Sequence, residues 1–93
     1  MRRAARKDDN QREIERAFQR CGFQVFDTSR LGNGFPDLVV YRKSHGVILA
    51  EIKDGAKPPS ARKLTPDEVA FAQRFPVALI ESVADVEALA NQK

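Results

Sequence analysis

A chain of 93 residues with a formal net charge of +3 and a single cysteine, Cys21, excludes a disulfide framework and any multi-cysteine zinc site. No apolar run approaches the roughly 20 residues of a membrane-spanning helix, and the charged opening "MRRAARKDDN" lacks the apolar segment of a signal peptide, so an intracellular soluble protein is expected. The length suits one domain over residues 1–93, small enough to bury only about two thirds of its unfolded surface, which makes a second copy a natural supplement.

Taken in chain order, residues 1–8 form a basic arm with Arg2, Arg3, Arg6 and Lys7. From Asp8 to Cys21, Ile14, Ala17, Phe18 and Cys21 make the i, i+3, i+4, i+7 stripe of an amphipathic helix. Gly22 stops it. "FQVFDTSR", Phe23 to Arg30, reads as a strand, and "LGNG", Leu31 to Gly34, as a loop. A hairpin follows, with strands Asp37–Arg42 and Val47–Lys53 around "SHG" and Gly46 in the left-handed position. "DGAKPPSARK", Asp54 to Lys63, has no periodicity and reads as a basic mobile loop. Thr65, Pro66 and Glu68 then provide the N-cap, first-turn proline and capping box of a second helix. "VALIES" is a short buried strand. Ser82 caps a last helix whose apolar stripe is Val83, Val86, Leu89 and Ala90. The order is α-β-β-β-α-β-α, an α/β fold whose third and fourth strands are expected to run parallel through a right-handed crossover.

The ends of the hairpin carry Asp37, Glu51 and Lys53. With Ser44-His45-Gly46 as the loop, Lys43 faces Val47, Val39 faces Glu51 and Asp37 faces Lys53. Alternation then places Asp37, Glu51 and Lys53 on one face, with Leu38, Val40, Ile48, Ala50 and Ile52 on the other as core. This assignment depends on the loop, and a one-residue shift of it is expected to put Asp37 on the opposite face. Two chemistries fit this trio. One is a cross-strand ion pair on a solvated surface. The other is a hard-cation site, with Asp37, Glu51 and the Ile52 backbone carbonyl as oxygen ligands for Mg²⁺ or Mn²⁺. There the metal would polarise a phosphoryl oxygen and acidify a water, and Lys53 would orient that water or stabilise the developing charge. The basic residues Lys57, Arg62 and Lys63 lie just beyond the trio, placed either for phosphate contacts or for solubility. Arg30 precedes it and offers a further DNA contact. His45, at the turn, and Cys21, on the apolar helix face, read as surface and core residues. Tyr41 and Phe35 read as strand or interface residues.

"GFPDLVV", "ILAEIKDG" and the "KLTPDEVAFAQ" helix start, followed by "PVALIESVADVEAL", resemble the PD-(D/E)xK nuclease superfamily. Within it, nearly the whole chain is similar to the virus-type replication-repair nuclease (VRR-Nuc) family in its stand-alone form. The resemblance implies a Mg²⁺- or Mn²⁺-dependent endonuclease that acts as a homodimer on branched DNA, four-way junctions above all, in a bacterial or phage-infected cytoplasm. It implies Asp37 and Glu51 as metal ligands and Lys53 as the catalytic lysine. It also implies a glutamate on the first helix, for which Glu13 is favoured over Glu15 and which would reach the metal directly or through water. Many relatives carry glutamine where this chain has Glu68, whose capping role already explains it. Two rival activities on the same fold are a non-catalytic DNA-binding module and a restriction-type enzyme that cuts linear duplex.

Overall fold

The computed structural model describes residues 9–92, so the basic arm expected over residues 1–8 lies outside the described residues. The elements are α1 (Gln11–Arg20), β1 (Gln24–Asp27), β2 (Leu38–Arg42), β3 (Gly46–Ile52), α2 (Pro66–Arg74), β4 (Ala78–Ile80) and α3 (Val83–Ala90), with a short 3₁₀ turn at Pro59–Ala61. The sheet order is β1-β2-β3-β4, with β1, β2 and β3 antiparallel and β4 parallel to β3. The mixed sheet and the parallel last pair are those expected.

One face of the sheet makes the core. Leu38, Val40, Ala50, Ile52 and Ile80 are buried against Ile14, Ala17 and Phe18 of α1 and Val86 of α3. The apolar stripes of both helices thus face the sheet, as an amphipathic period requires. Phe18 meets Phe23 edge to face at 5.3 Å between ring centroids, which closes the core at the hairpin end.

The hairpin differs from expectation in its loop. The three loop residues are Lys43, Ser44 and His45, closed by the His45 N–H on the Arg42 carbonyl at 2.8 Å. Gly46 does adopt a left-handed φ of +72°, but as the first residue of β3. Arg42 therefore pairs with Gly46, Tyr41 with Val47 and Val39 with Leu49, so that neither Lys43–Val47 nor Val39–Glu51 is a pair. Sliding the whole loop by one residue moves the pairing by two, and a shift of two preserves which face each side chain takes. Leu38, Val40, Ala50 and Ile52 accordingly remain in the core.

Strand β1 is shorter than the expected Phe23–Arg30 run. Beyond Asp27 the backbone ladder gives way to side-chain bonds: after a last cross-strand bond from the Thr28 N–H to the Asp37 carbonyl at 2.9 Å, Thr28 Oγ1 donates to the Pro36 carbonyl at 2.7 Å, and Ser29 donates to Asp27 Oδ1 from both its N–H and its Oγ. Short hydroxyl side chains of this kind compete with a ladder and end it. The loop Asp54–Lys63 is folded on itself. Arg62 Nε donates to the Lys57 carbonyl at 2.7 Å, and Lys57 N–H to the Asp54 carbonyl at 3.0 Å.

Helix α2 has the capping box read from the sequence. Thr65 Oγ1 accepts from Glu68 N–H, and Glu68 Oε1 accepts from Thr65 N–H. Its first turn lies against the glycine loop: Gly34 has a φ of +83°, and a Cβ there would fall 2.3 Å from the Asp67 carbonyl oxygen. Only glycine permits both the dihedral and that approach. Phe35 then packs edge to face on Phe71 at 5.3 Å. Among the described residues no helix is long and apolar enough to cross a membrane.

Candidate active site

The ends of β1, β3 and β4, the start of β2 and the starts of all three helices gather at one edge of the sheet. Asn10, just before α1, ties them together: its Nδ2 lies 3.3 Å from the Lys53 carbonyl and 3.4 Å from that of Glu81. The β2–β3 ladder runs out at Leu38 and Ala50, and beyond it a side chain takes over. Asp37 Oδ2 accepts the Ile52 N–H at 2.9 Å, which holds this carboxylate against the end of β3.

Glu51 stands beside it. It is only 4% exposed, although it lies on the face opposite the main core, because α2 and the preceding loop cover this end with Leu64, Glu68 and Phe71. Burial, then the Asp37 charge, then the hydrogen bond and charge of Glu68 push the Glu51 carboxyl up to about 9. A carboxyl in that position is protonated at neutral pH unless a cation joins it.

Lys53 Nζ is 3.8 Å from Glu51 Oε2 but 3.0 Å from Glu68 Oε1. Burial acts to raise the Glu68 carboxyl, but the Thr65 N–H, the Lys53 ammonium and the Glu51 proton outweigh it and hold that carboxyl below its ordinary value. Glu68 thus caps α2 and anchors Lys53 at the same time. Its capping role, read from the sequence as a complete explanation, is half of what it does.

The trio Asp37, Glu51 and Lys53 is therefore brought together, and Glu68 joins it. The α1 glutamates go elsewhere. Glu13 is exposed and lines a separate cleft of about 560 Å³ with Asn10, Asp54, Arg62, Glu81 and Asp85. Glu15 accepts a hydrogen bond from Gln11 Nε2 at 2.9 Å. The buried polar residue of α1 is Gln11, at 2% exposure, whose Nε2 also lies 3.3 Å from Asp27 Oδ1 and whose Oε1 has no hydrogen-bond partner. Gln11 falls three residues before Ile14 and seven before Phe18, so a polar side chain at a stripe position was its sequence signal.

The cationic candidates divide. Arg62 pairs with Glu81 at 3.3 Å and braces its own loop, while Lys57 lies 3.8 Å from Asp9. Arg30 and Lys63 are exposed. His45 lies at the opposite end of the sheet, half-buried with its ring 5.5 Å from that of Phe23.

Among the described residues no three or more His, Cys, Asp or Glu side chains are grouped as a metal cage. The donor set is a pair of carboxylates. Hard divalent cations of the Mg²⁺ type accept such a pair, completing their shell with backbone oxygen and water. A buried carboxylate pressed against a second one, with the nearest ammonium drawn off to a third, fits a cation of that class on electrostatic grounds. No family model, no curated protein and no solved structure matches the chain.

Proposed function

We propose that this protein is a divalent-metal-dependent endonuclease of the PD-(D/E)xK type, related to the VRR-Nuc family, which cuts branched DNA as a homodimer. The observation that carries the reading is the placement of Glu51, a buried carboxylate set against Asp37 on one side and near Lys53 on the other. The order of the motifs along the chain supports it further.

Asp37 and Glu51 would hold Mg²⁺ or Mn²⁺, which supplies Lewis acidity toward a phosphoryl oxygen and an acidified water. The remaining work falls to the chain. The Ile52 N–H fixes the Asp37 carboxylate, so that ligand is positioned before any cation binds. Lys53 carries a positive charge into a poorly solvated site, where it counts for more against the charge developing on phosphorus than it would in water. Glu68 orients Lys53 through their 3.0 Å contact. Arg30 and Lys63, both exposed, would meet backbone phosphates.

Asp37→Asn is the decisive variant, because an amide oxygen can still accept the Ile52 N–H and the fold is retained. Cleavage of a four-way junction in Mg²⁺ is expected to fall by on the order of 1,000-fold, with junction binding kept. Equal cleavage by variant and wild type would reject the nuclease reading, and junction binding without cleavage by the wild type would favour a non-catalytic DNA-binding module. Preference for a matched linear duplex in the same assay would reject junction selectivity alone.

A further inference from the structure

Helices α1 and α3 cover one face of the sheet, and α2 covers only the Glu51 end of the other. What the described residues leave open is apolar. Phe26 is 70% exposed, Val47 67%, Leu79 48% and Tyr41 44%. The ladder sets Phe26 beside Val39 and Val39 beside Leu49, with Tyr41 beside Val47 in the next row, so these side chains form one continuous surface over β1, β2 and β3. Leu79 extends it from β4, where it pairs with Glu51. We propose that this open sheet face is the surface on which two copies of the chain pair.

Charge decides the occupant. Between its margins the face carries no Lys, Arg, Asp or Glu: the outward positions are Gln24 and Phe26 on β1, Val39 and Tyr41 on β2, and Val47 and Leu49 on β3. A nucleic acid would need cations there, even over stacking aromatic rings. An uncharged face is complementary to itself, which is the condition for a two-fold interface. Residues 1–8 of this chain, with four cations among them, do not match it.

Size agrees. The four most exposed side chains present on the order of 400 Å² of apolar surface, at the scale where a patch on a small protein signals an interface. The face also runs into an apolar groove of about 490 Å³ along β3, lined by Val47, Leu49, Val77 and Leu89. A stable dimer buries roughly 800 Å² per partner, of which an apolar patch of this size makes the central part within a polar rim. Sheets stacked in this way lie about 10 Å apart with interdigitated side chains. The surface named here rests on the homodimer part of the proposed function and not on its chemistry.

Sedimentation velocity of the full chain over the micromolar range tests it. The wild type is expected to sediment at twice the chain mass. Val47→Lys and Phe26→Thr are each expected to weaken the dimer by roughly 100-fold or more, while their far-UV circular dichroism stays that of the wild type. The rise in melting temperature on adding Mg²⁺ should survive in both variants, because the carboxylate pair is untouched; its absence from the wild type as well would count against the metal site alone. A wild type that is monomeric throughout overturns the proposal, as do two folded variants that dimerise like the wild type. So does a monomeric wild type whose binding of a single-stranded oligonucleotide is weakened by Phe26→Thr, since the face would then be a stacking platform. Should neither variant fold, amide hydrogen exchange of the wild type on dilution decides. Loss of protection in Gln24–Asp27 and Gly46–Ile52 supports the surface, and unchanged protection there overturns it.

Discussion

The two ends of the sheet both hold charge out of water, and they treat it in opposite ways. At the hairpin end Arg42 is half-buried, with each of its three guanidinium nitrogens hydrogen-bonded. It donates to the Cys21 carbonyl, to the Ala90 carbonyl at 2.8 Å and to Ser44 Oγ at 2.8 Å, and its central carbon lies 4.8 Å from the centre of the Phe23 ring. One planar fork joins the end of α1, the end of α3 and the turn of the hairpin. At the other end Glu51 is more deeply buried than Arg42, and its nearest acidic neighbours, Asp37 and Glu68, repel its charged form. The first arrangement satisfies its donors and holds the fold together. The second leaves a carboxylate that is destabilised until something cationic arrives, which is how a binding site differs from a structural ion pair.

The largest expected effect that would sharpen this contrast is at Arg42. Arg42→Ala removes partners from two backbone carbonyls and strips the ring contact, and a loss of about 2–4 kcal/mol is expected in urea unfolding. Arg42→Lys should recover only part of it, because an ammonium lacks the fork that reaches α1 and α3 together. A neutral result at Arg42 would break the comparison.

Glu51→Gln should do the reverse. The folded Glu51 carboxyl sits at about 9 against an ordinary 4.5, so between those values the native chain holds a proton that the unfolded chain has released. Stability of the metal-free protein is therefore full at low pH and falls as pH rises through that window. The amide cannot ionise, so the variant should be more stable than the wild type by about 1–3 kcal/mol at pH 8 and nearly equal to it near pH 4. The same sign predicts that Mg²⁺ raises the melting temperature of the wild type more at pH 8 than at pH 6, and hardly affects Glu51→Gln. Thermal unfolding over that pH range checks both statements.

The smallest effect is at Glu68, which belongs to the site and to a helix cap at once. Glu68→Ala should cost about 1 kcal/mol through the cap. Glu68→Gln keeps a side chain able to fill the capping box but removes the charge facing Lys53. It should unfold like the wild type while shifting the pH dependence of cleavage to lower pH, because the charge of Glu68 is one of the causes that raise the Glu51 carboxyl. If Glu68→Gln leaves the pH profile unmoved, Glu68 is a cap and nothing more.

Much of this architecture was legible in local patterns. The N-caps located α2 and α3 closely, because Thr65, Pro66, Glu68 and Ser82 act within one turn of themselves. Alternation separated the core face of the hairpin from the other, since that depends only on parity. The position of the hairpin loop was missed by one residue, because Lys43 and Gly46 both tolerate the edge of a turn and only the pairing of whole strands chooses between them. Gln11 and the second role of Glu68 were missed for a different reason. Both depend on what lies opposite, and Asp27 and Lys53 are sixteen and fifteen residues away from them.

By itself, the sequence determined the order of elements, the apolar face of each and the residues able to carry chemistry, because those follow from periods and caps that span a few residues. Only the tertiary structure decided that Asp37 and Glu51 crowd one another under α2, that Lys53 leans to Glu68, and that the described residues leave the rest of that sheet face uncovered. Burial and Coulomb interaction act through space, and the distances that set them do not exist until the strands are paired and the helices laid against them.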